Sequence, residues 1–303
     1  MVESLFLDFY IQMKIETDEF KISPDAEVDL TKYKTNAKGK LPKELKKVFS
    51  DYKEEIAKFQ NKLFAENRQS LLIILQGMDA SGKDSIIRRI MDGVNPQGVQ
   101  ITSFKHPSDL ELSHDYLWRH YLKLPVQGMI GIFNRSHYEN VLITRVHPKL
   151  ILAERVPKIL EVSDIDDEFW SKRYRQIRNF ERTIHDTGTP VLKFFLHLSK
   201  DEQKKRFMER INEKDKNWKF SGADVTERQY WDDYQNAYQL ALQNTSTKKN
   251  PWYVIPADDK WFTQLLIYQI IIEKLEKMDM KFPKPDEELI KTLDEAKLLL
   301  IKE

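Results

Sequence analysis

The chain has 303 residues, enough for one large α/β domain, and 41% of them are hydrophobic, which supports a well-formed core. Its 49 Lys and Arg residues balance 48 Asp and Glu residues to a net charge of +1, so no overall field favours nucleic acid or an anionic membrane. It has no cysteine, which excludes disulfides and thiolate zinc sites and fits a reducing compartment such as the cytoplasm.

The first 40 residues are mixed in composition, and we expect them to form an arm over the surface of the main domain. They have no basic segment ahead of their apolar residues, as a signal peptide would, and no window of the chain approaches 18 uncharged apolar residues. From Pro42 to about Asn67, apolar residues recur at helical spacing and predict a long helix. We therefore expect a helical extension over residues 1–67 and a main domain over residues 68–303.

An apolar run that begins at Leu71 stops at Gly77 and leads into a helical pattern, which predicts a strand, a loop and a helix. The loop matches the G-x-x-x-x-G-K part of the phosphate loop of nucleoside-triphosphate enzymes. Its glycines allow successive backbone N–H groups to point at an anion, and Lys83 adds a positive charge for the terminal phosphates. The predicted phosphate-binding residues of this loop are Gly77, Met78, Ala80, Ser81, Gly82 and Asp84.

Two acidic residues belong to the same loop. Asp84 stands where a phosphate loop normally carries the Ser or Thr hydroxyl that contacts Mg²⁺, and Asp79 lies inside the loop. Two carboxylates repel bound phosphates unless a divalent cation lies between them. We therefore interpret both acids as metal-related and expect Mg²⁺ or Mn²⁺ as the cofactor.

Short apolar strands alternate with helices along the rest of the chain. This alternation predicts one domain with a parallel sheet and helices on both faces. Residues 213–225 carry few apolar groups and are expected to form a mobile loop. The other predicted strands cover residues 99–104, 128–133, 191–198 and 252–255. The helix after the phosphate loop is predicted to end at Met91, and a short helix is predicted after Pro285. Further helices are predicted over residues 111–124, 167–186, 200–212 and 261–278, and one is predicted to begin at about residue 226.

The segment Asn134-Arg135-Ser136-His137-Tyr138-Glu139 follows the strand over 128–133, and ligands of such sheets bind at the carboxyl ends of strands. Asn134 stands where a phosphate-loop enzyme usually has a metal-orienting Asp. An amide adds no charge, so Asp79, Asp84 and Glu139 are expected to supply the negative groups of the metal site. His137 is expected to pack or to form hydrogen bonds, because phosphoryl transfer onto a phosphate needs no base.

Arg135 offers a guanidinium at the same strand end. It can hold a phosphate or spread the charge on a transferring phosphoryl group, and a structural salt bridge is the alternative interpretation. A basic run from Lys204 to Lys219 also has two interpretations. It is either a solvated helix face or a lid over residues 204–228 that delivers Arg206 and Arg210, which share one helix face, to the phosphates.

Together these motifs resemble the polyphosphate kinase 2 family, a group of P-loop kinases similar in fold to thymidylate kinase. The resemblance covers about residues 68–282. It implies a three-layer α/β domain with a helical lid, which transfers a phosphoryl group from inorganic polyphosphate to a nucleotide with Mg²⁺. The motifs that carry it are the phosphate loop, the Asn134 to Glu139 segment, Asn217-Trp218-Lys219-Phe220-Ser221 with Trp231-Asp232-Asp233-Tyr234, and the segment from Pro251 to Trp261.

The resemblance also implies roles for individual residues. The catalytic positions of the family correspond to Asp79, Lys83, Asn134 and Arg135, and its lid positions to Arg206, Arg210 and Lys219. Many relatives have Asp-Arg-Ser-Trp-Tyr-Asn where this chain has Asn134 to Glu139. The version here is similar to the class III branch, which phosphorylates nucleoside mono- and diphosphates, and class I, which prefers diphosphates, is the alternative.

The acceptor is expected to be AMP or ADP. Glu139 would border its site, and Trp118 and Arg119 are candidates from their position on a helix near the strand ends. We expect a cytoplasmic homo-oligomer, a dimer or a tetramer, without a nucleic-acid or membrane partner. An ATP-dependent nucleotide or small-molecule kinase would use the same loop and stays open as the rival function. A switch protein is disfavoured because the N/T-K-x-D motif for guanine is missing.

Overall fold

The structure is a computed structural model, and it describes residues 15–37 and 44–301, with the Lys219 side chain left out of the description. The first 14 residues of the expected N-terminal arm therefore lie outside the described part. Within that part, no helix combines the length and the apolar character needed to cross a bilayer.

The described strands form one five-stranded parallel sheet in the order β2-β3-β1-β4-β5. The central strand, β1, is buried along its whole length and pairs with β3 and β4. Leu75 lies opposite Asn134 and Gly77 lies opposite Leu196, so three carboxyl ends meet at one edge. The strands are β1 (Leu71–Gly77), β2 (Val99–Ser103), β3 (Ile130–Asn134), β4 (Val191–His197) and β5 (Trp252–Pro256).

Helices cover both faces of this sheet, as the sequence predicted. Successive side chains of a strand point to opposite faces, and Ile73 of β1 lies in one buried cluster while Ile74 lies in the other. The α-helices of the described residues are α1 (Leu45–Glu66), α2 (Lys83–Met91), α3 (Asp109–Leu112), α4 (Trp118–Tyr121), α5 (Ile143–Val146), α6 (Lys149–Leu152), α7 (Asp167–Asp186), α8 (Lys200–Asn212), α9 (Gly222–Glu227), α10 (Trp231–Thr245), α11 (Lys260–Lys277) and α12 (Glu287–Ile301).

The two faces are built from different parts of the chain. Residues of α1, α2 and α11 pack on the first cluster, and residues of α7 and α10 pack on the second. The segment 15–37 belongs to the domain more closely than an arm over the surface would. Ile22 is 1% exposed, its N–H donates to the Trp252 carbonyl at 2.8 Å, and Val28 and Leu30 are buried as well.

The predicted helix over 111–124 is wrong, since the structure has two short helices there, α3 and α4. The backbone N–H of Ser113 closes the first helix on the Asp109 and Leu110 carbonyls, and the Asp115 carboxylate accepts from the Leu117 N–H at 2.8 Å. Short polar side chains of this kind bind nearby backbone groups and interrupt a helix, which apolar spacing alone does not reveal.

The predicted mobile loop over 213–225 also has more structure than expected. It contains a 3₁₀ turn at Asn217–Lys219 and most of α9, and Asn217 Nδ2 donates to the Arg210 and Ile211 carbonyls at the end of α8. The tail helix α12 has 15 residues, and none of them is buried.

Candidate active site

The phosphate loop joins β1 to α2 through backbone conformations that favour glycine. Gly77 has φ +154°, and a Cβ there would lie 2.8 Å from Ser81 Oγ and 2.9 Å from the Leu196 carbonyl oxygen. Gly82 has φ +106°, and even Ala80 has φ +61°. The loop therefore wraps tightly over the end of the sheet. Ser81 Oγ is buried inside it and has no hydrogen-bond partner among the described residues.

Lys83 is the first residue of α2 and lies within the loop. Its side chain is 9% exposed, and Nζ donates to the Gly77 carbonyl at 2.7 Å and to the Met78 carbonyl at 3.2 Å. Burial lowers the pKa of Lys83, and the charge of Asp79 opposes that shift. A cation is thus held at the N-terminus of a helix, where backbone N–H groups and the helix dipole already favour an anion.

Arg135 connects the loop to the motif that follows β3. Its Nη2 donates to Asp79 Oδ1 at 2.9 Å, and its Nη1 lies 3.8 Å from Glu139 Oε2. The residue has φ +64°, and 41% of its side chain is exposed. The nearby charge of Glu139 raises the pKa of Arg135 further above its ordinary range. Arg135 therefore makes a salt bridge and still presents part of its guanidinium to the space over the loop.

Glu139 lies on a 3₁₀ turn, His137–Val141, next to this guanidinium. Its side chain is 25% exposed. Burial raises the pKa of Glu139, and the charges of Arg135 and Lys83 partly oppose that rise. A carboxylate in this position is close enough to the phosphate loop to influence the charge that the site accepts.

The three predicted metal ligands do not gather into one cluster. Asp84 Oδ1 accepts a hydrogen bond from Asn134 Nδ2 at 2.7 Å, while Asp79 is paired with Arg135. Among residues 15–37 and 44–301, no group of three acidic or histidine side chains forms a metal site. A site for Mg²⁺ still fits, because Mg²⁺ is commonly held by one or two carboxylates with waters and substrate phosphates. Asp79 and Asp84 are oxygen donors of that kind at the rim of the loop.

The structure places Arg206 under the phosphate loop and not on a lid, so its predicted role in binding phosphate is corrected. The side chain is 7% exposed, and the five N–H groups of its guanidinium all have protein acceptors. Those acceptors are Glu202 Oε1 and the carbonyl oxygens of Ala80, Ser81, Ala257 and Asp258. Arg206 therefore fixes the loop to the end of β5.

Arg210 lies one turn further along α8, and its Nη1 is 3.5 Å from Asp224 Oδ2 of α9. Burial, followed by the charge of Asp79, raises the pKa of Asp224. The third predicted lid residue, Lys219, has a side chain outside the described part of the structure.

A small cavity of about 40 Å³ lies directly over the loop. Asp79, Arg135 and Glu139 line it on one side, as the motifs predicted. The sequence analysis missed the other side, because these residues come from helices that meet only in the fold. The missed residues, none of which had been given a role, are Gln203, Asp224, Glu227, Arg228, Tyr234 and Tyr238. Three of them lie in the predicted lid segment 204–228, and Tyr234 lies in a motif that the sequence had singled out.

A larger cavity of about 230 Å³ opens beside the small one and shares Arg135, Glu139 and Ile143 with it. Arg119 lines this cavity, with Nη2 donating to the Lys105 carbonyl at 2.9 Å and the guanidinium 5.1 Å from the Phe104 ring. Trp118 does not line it. Its ring stacks on His114 with a centroid distance of 4.1 Å, so the predicted acceptor role of Trp118 is not supported by its position.

Two residues in the middle of the same motif are buried away from this site. His137 and Tyr138 are fully buried, and both form hydrogen bonds with Glu181, at 3.3 and 2.7 Å. Lys193 of β4 donates to Glu181 Oε2 at 2.7 Å, to Tyr138 Oη and to the Thr245 carbonyl. The prediction that His137 packs and forms hydrogen bonds is confirmed.

Comparisons with known proteins find similarity over most of the chain. The model of the polyphosphate kinase 2 family matches residues 41–283. The ADP-polyphosphate phosphotransferase of Rhodopseudomonas palustris is 49% identical over 273 residues, which cover 89% of this chain and 93% of that protein. The AMP/ADP-polyphosphate phosphotransferase of Meiothermus ruber is 42% identical over 271 residues, which cover 88% of this chain and 96% of that protein.

A solved structure is similar over nearly the whole fold. The crystal structure of polyphosphate kinase 2 from Arthrobacter aurescens TC1 superimposes with a TM-score of 0.85 at 34% sequence identity. The match covers 96% of this chain and 98% of that one.

Proposed function

The chain belongs to the polyphosphate kinase 2 family, and we propose that it transfers a phosphoryl group from inorganic polyphosphate to AMP and to ADP. One observation carries the assignment of the substrates to the site. Arg135 and Glu139 line both the small cavity over the phosphate loop and the larger cavity beside it, so a donor phosphate and an acceptor phosphate can meet at Arg135.

The donor end of polyphosphate binds the backbone N–H groups of the loop and the N-terminus of α2, with Lys83 neutralising its charge. The acceptor nucleotide lies in the larger cavity with its phosphate towards Arg135. The guanidinium then contacts both phosphates and stabilises the charge on the transferring group. The acceptor phosphate oxygen is already ionised, so positioning and charge supply the catalysis and no side chain has to remove a proton.

Kinases of this family generally need a divalent metal, and we assign Mg²⁺ to this one. Asp79 and Asp84 would hold it together with oxygens of the substrate phosphates. When bound, the ion neutralises phosphate charge and orients the phosphates of the donor. Glu139 lies beside Arg135 and acts on the acceptor, so we leave it out of the metal site.

Residues 204–228 form the lid segment, in which Arg206 is fixed under the loop and Arg210 and Lys219 are the phosphate-binding residues. Arg210 Nη1 lies 3.5 Å from Asp224 Oδ2, and a bound polyphosphate would compete with that carboxylate for the guanidinium. Residues 1–67 are the extension to a kinase domain over 68–303. The homo-oligomer and the cytoplasmic location stay predictions.

The proposal is tested by supplying either polyphosphate or ATP as the sole donor with AMP, at fixed Mg²⁺, and measuring ADP formation. We expect turnover with polyphosphate that excess chelator abolishes, and slower transfer from ATP. Turnover with ATP and none with polyphosphate would establish the rival ATP-dependent kinase. Repeating the assay with ADP as acceptor distinguishes the class III-like interpretation, in which both acceptors react, from class I, in which ADP is strongly preferred.

A further inference from the structure

Three cavities follow one another outward from the phosphate loop. The acceptor cavity shares Arg135 and Glu139 with the small cavity over the loop, and it shares Tyr116 and Glu154 with an outer cavity of about 400 Å³. The small and the outer cavity have no lining residue in common among those described. Glu154 and Tyr116 therefore lie at the end of the acceptor cavity that is away from the phosphates.

Glu154 brings a carboxylate to this far end, and only one of its two oxygens is bonded to a described residue. Its side chain is 11% exposed, and Oε2 accepts from Arg173 Nη2 at 2.8 Å. Within the described part of the chain, no side chain or backbone group donates to the other oxygen, Oε1. A nearly buried carboxylate oxygen without a donor is an acceptor available to a ligand.

Arg173 holds this carboxylate in place. The guanidinium is 4% exposed and lies 4.1 Å from the centroid of the Tyr116 ring and 4.9 Å from that of Phe169. Its Nη1 is buried and has no partner among the described residues. Tyr116 is fixed in turn, because its hydroxyl donates to Gln176 Oε1 at 3.2 Å.

The walls between the two ends of the acceptor cavity are largely apolar, with Phe104, Ile143 and Leu150 among them. A nucleotide fits such a cavity with its phosphate at Arg135, its flat base between apolar side chains and a polar base edge at Glu154. A carboxylate oxygen accepts from an N–H donor, and adenine presents its exocyclic amino group as the donor.

We propose that Glu154 recognises the amino group of an adenine-type base of the acceptor and that Arg173 is the residue that positions its carboxylate. This inference deepens the proposed function and rests on it, since it assigns the specificity of the same acceptor cavity. Its substrate class is an amino-bearing purine nucleotide.

The test compares AMP with purine riboside 5′-monophosphate, which lacks only the amino group, at saturating polyphosphate. Wild-type kcat/KM for AMP is expected to exceed that for the analogue by at least about tenfold, as for a hydrogen bond to a charged group. In Glu154→Gln the amide oxygen keeps the bond to Arg173 and the amide NH₂ faces the cavity. The preference should then fall to within about twofold, the range of independent effects.

Glu111→Gln is the matched control, because Glu111 lines the same cavity and pairs with an arginine, Arg119, at 3.3 Å. It should retain the wild-type preference for AMP. If Glu154→Gln does not fold, Glu154→Asp replaces it. The aspartate keeps the negative charge beside Arg173, but its shorter side chain withdraws the carboxylate from the base. Glu154→Asp should therefore also lose the preference for AMP.

The inference would be overturned if the ratio of kcat/KM for AMP to that for the analogue is near one in wild type, or if the folded Glu154 variant keeps the wild-type ratio. Either result would leave the proposed function standing. Calorimetric binding of AMP and of the analogue separates the two claims. If wild type transfers nothing from polyphosphate to AMP, the proposed function fails, and the two dissociation constants still decide whether Glu154 recognises the amino group.

Discussion

Two clusters of charged side chains lie on either side of the segment that follows β3. The closed network consists of His137, Tyr138, Glu181 and Lys193, each at most 1% exposed, and the hydrogen bonds of its carboxylate and its ammonium stay inside the protein. The open network consists of Asp79, Lys83, Arg135 and Glu139, and 41% of the Arg135 side chain and 31% of that of Asp79 are exposed.

From this difference we predict that the closed network serves the fold and that the open network serves the chemistry. In the closed network, burial acts to raise the pKa of Glu181, but Lys193 and His137 hold it below its ordinary value. In the open network, Arg135 has a positive φ angle, as does Ala80 next to Asp79, and this conformation costs free energy and is often found at functional sites. Asp79, Arg135 and Glu139 also line cavities, where substrate groups can complete their hydrogen bonds.

The largest expected effect is on the closed network. Lys193→Met leaves the Glu181 carboxylate buried without its ammonium partner and should lower the free energy of unfolding by about 3–5 kcal/mol, measured by denaturant titration. The folded enzyme should keep its turnover of AMP. The double variant Lys193→Met/Glu181→Gln should recover part of the stability. If Lys193→Met instead loses turnover of AMP while its free energy of unfolding is unchanged, Lys193 takes part in catalysis and the distinction between the two networks is wrong.

Lys83→Ala should have the opposite profile. Loss of the cation at the loop is expected to lower kcat by roughly 10²–10³-fold, as for other groups that stabilise charge in a transition state. The midpoint of unfolding should change less than in Lys193→Met, because the loss of the two hydrogen bonds from Nζ to the Gly77 and Met78 carbonyls is offset by relief from burying a charge. Rates near those of wild type in the folded variant would refute the assignment of the phosphate loop.

A smaller effect is expected at Glu139, where the open network meets the acceptor. Its negative charge disfavours the more highly charged acceptor, so Glu139→Ala should raise the ratio of ADP to AMP turnover by roughly three- to tenfold. Glu139→Gln keeps the size of the side chain and should also raise the ratio of ADP to AMP turnover. If the residue only caps the turn, stability would change by about 0.3–1 kcal/mol and the ratio would stay constant.

The smallest effect at neutral pH is expected at His197, the last residue of β4. Burial lowers the pKa of His197 from 6.5 to about 4, against the opposing charge of Asp258. The unfolded chain therefore takes up the proton first as the pH falls. The stability contribution is complete above pH 6.5 and is lost as the pH falls towards about 4. His197→Gln should flatten the decline of unfolding free energy over this range, and an unchanged slope would contradict the shift.

Local patterns in the sequence were enough to predict the fold class and the phosphate loop. The bounds of α7 and α8 agree with the prediction, because their apolar spacing and N-terminal Asp or Ser residues are local signals. Gly77 and Gly82 were identified by a spacing whose physical cause is the turn itself.

The arrangement of partners could not be predicted in the same way. Arg206 was expected to face the phosphates, but the four carbonyl oxygens that accept from it lie more than 50 positions away on both sides, and only the fold brings them together. The pairing of Lys193 with Glu181 had one signal that was not used. A lysine inside a continuous apolar strand requires a buried carboxylate nearby, because an unpaired buried charge is too costly.

Binding of tripolyphosphate, followed by calorimetry at fixed Mg²⁺, tests the division between the two networks most directly. The measurement compares wild type, Lys83→Ala and folded Lys193→Met, so that one cation is removed from each network. We expect the dissociation constant to rise at least about tenfold in Lys83→Ala, as for loss of a hydrogen bond to a charged group, and to stay at the wild-type value in Lys193→Met. Equal affinity of wild type and Lys83→Ala for tripolyphosphate would contradict the account.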